Sequence, residues 1–173
     1  MYKGYAFIRI LLLILGLPIV ITVLTPVWLA RRYDVTFTLA SGVADGVVQG
    51  IGALLLIIGV VLFVSSLDQI LSLRQQKLTP WDLRGRLLVC GPYRRVRYPM
   101  VSGVLFILFG EALLLESVLH AGWALVFLLV SSVYIPWLEE PQLEARFGDE
   151  YRRYRRHVSR FLPRLRPWNP EAE

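Results

Sequence analysis

Cysteine and histidine are nearly missing from this chain, with one cysteine and two histidines in 173 residues. A lone Cys90 excludes an internal disulfide and any multi-cysteine metal site; it is read as a small hydrophobe, with palmitoylation as the weaker alternative. His120 has no second histidine close by, which excludes a histidine-based metal centre. Acidic residues are scarce as well, 13 against 19 lysines and arginines, for a net charge of +6. A dinucleotide fingerprint is absent, because Gly50-Ile51-Gly52 lacks its third glycine and no strand precedes it. No A-x-A-like cleavage site follows the first apolar run, so that run is read as a retained anchor.

What the chain has in excess is apolar side chains, 55% of residues, too many for a soluble domain of this length. Four apolar segments follow one another, Tyr5–Ala30, Val43–Leu67, Met100–Leu115 and Val118–Leu138. Backbone in a bilayer must satisfy its own hydrogen bonds, so each segment is predicted to be helical. Arg9, inside the first, lies near the membrane edge and can snorkel. The third and fourth are shorter than an ideal span, and so few residues join them that they must form an antiparallel hairpin. The expected fold is an all-α integral membrane protein of about four transmembrane helices with a C-terminal amphipathic helix at the interface.

Lysine and arginine set the expected orientation. Arg74, Lys77, Arg84, Arg86, Arg94, Arg95 and Arg97 lie between the second and third segments, and arginines recur from Arg146 to Arg166, whereas the Glu116–His120 turn has none. The positive-inside rule then places both basic regions, and both termini, on the cytoplasmic side, although Arg31 and Arg32 would face outward. After the fourth segment Leu143, Phe147, Tyr151 and Tyr154 recur at helical spacing, the apolar face of a helix lying on the membrane, with Gly148 marking a break. The arginines on its other faces suit anionic headgroups, and their attachment to a bilayer argues against nucleic acid. Gly42, Gly46 and Gly50 form one helical stripe, read either as close packing inside the chain or as a homodimer seam.

Two clusters carry the chemistry. GPYRRVRYPM, residues 91–100, is a basic loop whose prolines disfavour helix at Gly91 and Tyr98. Glu139 and Glu140 follow the fourth segment directly, and two adjacent carboxylates repel unless cations or donors compensate. The hairpin returns the chain to the side on which it entered, so the glutamates are expected beside Arg97 and Tyr98. They either neutralise arginines there, or one of them holds a cationic group of a small molecule. Glu111, inside the third segment, is expensive to bury: it marks a function or pairs with His120 or with Arg31 and Arg32.

The loop, the hairpin and the pattern EE-x-x-L-x-x-x-F-G-x-x-Y-x-x-Y-x-x-x-V-x-x-x-x-P together resemble the isoprenylcysteine carboxyl methyltransferase and phospholipid methyltransferase superfamily over about Leu87 to Pro163. The resemblance implies residues 1–80 as an N-terminal helix pair with linker and 81–173 as a methyltransferase-like core, together one structural domain. It implies S-adenosylmethionine as cofactor, bound by Leu88, Val89, Tyr93, Tyr98, Pro99, Met100 and Val101, with Glu139 holding the cofactor's ammonium. Arg97 would bind a carboxylate or phosphate, and Glu140 would be the base for an amine acceptor. The expected activity is methyl transfer to a lipid or other amphiphile. The sequence departs from the family pattern at Tyr98, where histidine or asparagine is usual, and at Val101, where tyrosine is; Ile135 replaces the arginine of prenylcysteine-specific members, which argues against that substrate. Those changes keep open a diverged binding or assembly module, and a sterol-reductase-like enzyme using reduced nicotinamide is the third reading.

Overall fold

The protein is described as a computed structural model, which places residues 16–37, 42–75 and 89–169. The start of the first apolar run, Leu88, and the basic residues Lys77, Arg84 and Arg86 lie outside them. The described residues are helical with no strands. Helix α1 (Thr25–Arg32) continues from a π-helical turn, Val20–Leu24, and helical residues 16–19. There follow α2 (Val43–Gln75), a 3-10 turn (Gly91–Arg94), α3 (Pro99–Leu114) and α4 (Val118–Tyr134). A second π turn (Ile135–Glu139) leads into α5 (Glu140–Phe147), and α6 (Asp149–His157) follows.

Two helical runs, Val43–Ser72 and Val118–Phe147, are long and apolar enough to cross a membrane, whereas α3 is apolar but has only 16 residues. α2 outruns the expected end at Leu67 because no proline or glycine stops it before Gln75. Its apolar side chains are largely exposed, Leu54, Ile57, Val61 and Val64 among them, as a helix immersed in lipid requires. Helix α3 ends in a Schellman arrangement: Ser117 N–H donates to the Ala112 carbonyl and Glu116 N–H to the Leu113 carbonyl. Glu116 takes the left-handed position, φ 47°, and its carboxylate accepts from Gln49 Nε2 at 3.2 Å. The expected antiparallel hairpin of α3 and α4 is formed by this turn.

Both π turns stand just before a proline in mid-helix. Proline lacks an N–H and its ring collides with the carbonyl four residues back, so the chain widens by one residue before Pro26 and before Pro141. Thr25 N–H accordingly bonds the Val20 carbonyl, and Glu140 N–H the Ile135 carbonyl. The next carbonyl, on Ile21, would need the N–H that Pro26 lacks. Trp123 of α4 satisfies it instead, its indole N–H donating at 3.1 Å, which ties α1 to α4.

The closest packing is between α2 and α3, which run antiparallel with Gly59 opposite Gly103 and Gly52 opposite Gly110. A Cβ on Gly59 would lie 2.7 Å from the Gly103 carbonyl oxygen, and one on Gly110 2.8 Å from that of Gly52. The two backbones therefore touch, a contact that van der Waals packing rewards in lipid. This differs from the in-chain reading of the Gly42–Gly46–Gly50 stripe. All three are exposed, and neither Gly42 nor Gly50 meets another helix. Val104, Leu108 and Ala124 form the buried core that joins α3 to α4.

The glycine contact makes a paired prediction. Gly59→Ala should destabilise the folded state by about 1–3 kcal/mol, the usual cost of overpacking, whereas Gly50→Ala, in open space, should be neutral or slightly stabilising. Thermal unfolding of both variants in detergent checks this; equal losses would remove the glycine pairs from the packing.

Candidate functional site

The loop at 91–98 is fixed from three directions. Gly91 has φ 55°, and an added Cβ there would overlap the Gln69 side chain of α2. Gln69 Nε2 also donates to Cys90 Sγ at 3.4 Å, so the far end of α2 rests on the start of the loop. Val96 is wholly buried, and Pro99 opens α3 at its first turn, where a missing N–H costs nothing.

The third constraint is the C-terminal segment after α6. Arg97 N–H donates to the Ser159 carbonyl and Tyr98 N–H to that of Arg160, while Arg164 and Trp168 N–H donate to the carbonyls of Arg95 and Arg94. Arg94 Nε returns a bond to the Trp168 carbonyl at 2.8 Å, and the Tyr154 hydroxyl donates to the Tyr93 carbonyl at 2.7 Å. Phe147, Tyr151, Tyr154 and Val158 are buried against Val89, Leu143 and Trp168. The apolar face expected to lie on the membrane is thus covered by the chain's own loop and tail, while the predicted break falls at Gly148, φ 54°.

Glu140 is the electrostatic centre. It is 2% exposed, and its Oε1 accepts from Arg97 Nη1 at 3.0 Å and from Arg160 at 3.0 Å (Nε) and 2.8 Å (Nη2). Arg155 Nε stands 3.5 Å from Oε2. A carboxylate removed from water is tolerable only with such partners, and taking one away from a buried pair costs about 3–5 kcal/mol. The expected juxtaposition of the glutamates with Arg97 is therefore present. The adjacent Glu139 points elsewhere, into a cavity of ≈410 Å³ that it lines with Tyr93, Arg97, Tyr98, Pro99, Met100 and Val101. Successive residues on a helix point roughly 100° apart, so one carboxylate meets the arginines and the other the cavity.

Six of the residues expected to contact a cofactor thus share one wall system, from two segments some forty positions apart in the chain. Val89 lies outside that lining, packed on the Tyr151–Tyr154 cluster, and Glu140 lies behind it, held by arginines rather than standing free as a base. Gln142 and Leu143 also line the cavity and were not anticipated. They fall three and four residues after Glu139, the same face of one helix, so helical spacing alone carried that signal.

The cavity's polar groups are incompletely matched. Arg97 Nε and the Tyr98 hydroxyl are buried atoms with no hydrogen-bond partner among the described residues. Burial pushes the Tyr98 hydroxyl well above its ordinary range, and Tyr151 and the two glutamates nearby add to the shift, so it stays protonated and available as a donor. Burial likewise raises Tyr93 and Tyr154. The Tyr98 and Tyr151 hydroxyls influence one another, yet neither has a hydrogen-bond partner of ordinary geometry.

The chain is 36% identical over 105 residues to methanethiol S-methyltransferase of Pseudomonas deceptionensis, a match covering 59% of this chain and 36% of that protein. It therefore spans little more than a third of that relative's length. It is 40% identical over 63 residues to an uncharacterized protein of Haemophilus influenzae, covering 36% of this chain and 100% of that one. No solved structure matches. Residues 48–150, more than half of the chain and inclusive of the cavity, match phospholipid methyltransferases, and the protein belongs to that family.

Proposed function

We propose that the protein is a multi-pass membrane methyltransferase that uses S-adenosylmethionine and acts on a lipid or other amphiphile at the cytoplasmic face. The observation that carries the proposal is the cavity itself: the loop after Tyr93 and the helix after Glu139, far apart in the chain, meet around ≈410 Å³, within the range of small-molecule sites. The residues fit the cofactor. One carboxylate lines the cavity to meet an ammonium, two buried donors lack partners, and Pro99, Met100, Val101 and Leu143 give apolar wall. Bound there, S-adenosylmethionine would supply an electrophilic methyl group.

Methyl transfer asks the protein mainly for position and dryness. Glu139 would accept from the cofactor's ammonium, and the protonated Tyr98 hydroxyl and Arg97 Nε would donate to its polar groups or to the acceptor. Glu140, engaged by Arg97 and Arg160, would act as a clamp that keeps Arg97 aimed rather than as a proton acceptor. An acceptor arriving as a thiolate or a carboxylate needs no base, whereas an amine must pass its proton to a base or to water. The free Nε of a buried guanidinium favours an anionic acceptor, and the thiol substrate named for the Pseudomonas relative makes a small or lipid-borne thiolate the second reading. The exposed Gly42–Gly46–Gly50 edge leaves room for a second copy of the chain.

Calorimetric titration of the detergent-purified chain should show binding of S-adenosylmethionine and none of reduced nicotinamide; binding of neither would favour a non-catalytic module. Glu139→Gln should weaken cofactor binding by about 1–3 kcal/mol, the scale of a lost charge-assisted bond, and unchanged affinity would take Glu139 out of the site. Tyr98→Phe separates fold from function. Deleting an unmatched buried hydroxyl should leave the unfolding temperature of the ligand-free chain unchanged or higher, while cofactor affinity or turnover falls. Loss of stability with full activity would reverse the assignment.

A further inference from the structure

A second cavity, of ≈260 Å³, opens at the other end of the helices, where α1, the end of α3 and the start of α4 meet. Glu111 lies twelve residues along α3 from Pro99, about 18 Å at the helical rise, so this cavity is remote from the first. Among the described residues its wall is apolar, with Val27, Ala30, Phe37 and Leu114, and two side chains in it ionise, Glu111 and His120. His120 is buried and fully engaged: Nε2 is 3.2 Å from the Pro26 carbonyl, which can only accept, and Nδ1 is 2.9 Å from Ser117 Oγ. Glu111 is different, since its Oε2 is buried and has no hydrogen-bond partner among the described residues. Neither pairing expected from sequence is made among the described residues: the His120 imidazole is spent on the α1 backbone and the α4 cap, and Glu111 Oε2 meets neither Arg31 nor Arg32.

A carboxyl oxygen buried among apolar groups without a donor is costly, and within a membrane protein it points to a ligand rather than to packing. We propose that this cavity is a second binding site, for a primary alkylammonium group whose N–H donors meet Glu111 Oε2 and whose first carbons meet Val27, Ala30 and Leu114. A single carboxylate in an apolar wall matches a single positive charge, and an unmatched acceptor selects a cation that carries N–H. The volume takes a short chain or a headgroup, not a larger molecule. Two sources supply this chemistry, a free alkylamine from the aqueous side and the ethanolamine headgroup of a phospholipid. Arg31 and Arg32 follow Ala30 in the last turn of α1 and suit the phosphate of the latter.

Thermal unfolding of the full chain in detergent, titrated with n-propylammonium chloride and, at equal ionic strength, with tetramethylammonium chloride, tests the site. The wild type should gain a saturable rise in midpoint from propylammonium only. Glu111→Gln should weaken that response at least about tenfold while still binding S-adenosylmethionine, which shows that it is folded. Ala30→Leu, which fills the cavity without touching the carboxyl, should weaken it too. Nanodiscs of choline lipid with and without ethanolamine lipid identify the source: a midpoint raised by ethanolamine lipid in wild type but not in Glu111→Gln assigns the headgroup, and a response to propylammonium alone assigns a free amine. Equal responses of wild type and Glu111→Gln, or no saturable response of the wild type to either source, overturn the proposal.

Discussion

A carboxylate with almost no contact with water must be matched where it stands, and Glu140 is matched by Arg97 from the loop and by Arg160 from the tail. Three stretches of chain that would otherwise be separate are bound to one another through a single oxygen atom. The cost of leaving that oxygen, or Arg97, alone in the interior is several kcal/mol, a large part of the stability of a small protein. The cavity wall beside Glu139 is therefore not a surface that forms on its own. It exists because its neighbour in sequence is locked.

The helices deliver the two ends of this lock to the same place by backbone chemistry rather than by side-chain volume. Glycines let α2 and α3 touch, which fixes where α3 begins and so where Tyr98 and Pro99 stand. The Schellman turn reverses the chain with little slack, and α4 returns across the same distance. The π turn before Pro141 leads into α5, and at that junction the adjacent glutamates face the arginines and the cavity. The tail completes the arrangement with four backbone bonds to residues 94–98, making the loop part of a small folded unit with α5 and α6. Position and rigidity are what methyl transfer demands of a protein, so this construction suits the family to which the chain belongs.

Much of this was legible in the sequence because it rested on strong local signals. Apolar runs gave the helices after residue 43, the short hairpin required loop and glutamates to meet, and Gly148 announced the break between α5 and α6. Other features depended on partners that a single sequence does not display. Every fourth glycine of Gly42–Gly46–Gly50 looked like a packing stripe, but the glycines that pack, Gly52 and Gly59, are spaced by seven and acquire meaning only opposite Gly103 and Gly110. The Leu143–Phe147–Tyr151–Tyr154 face has the periodicity of an interfacial helix, and periodicity cannot say whether lipid or the chain's own tail covers it. Glu139 and Glu140 are chemically identical, and the family pattern, rather than their own chemistry, distinguished the one expected at the cofactor from its neighbour; the arginines that hold Glu140 come from segments 43 residues before it and 20 after it.

The central claim is that Arg97 and Glu140 are energetically one unit joining the loop to the second cluster. A double-mutant cycle of Arg97→Gln and Glu140→Gln, read by reversible unfolding in detergent, measures it directly. The account predicts that each single change is severely destabilising and that the double variant loses far less than the sum, a coupling of about 2 kcal/mol or more at two buried charges. Additive losses would mean that the two residues stabilise different parts of the molecule, and would contradict the shared site on which the proposed activity rests.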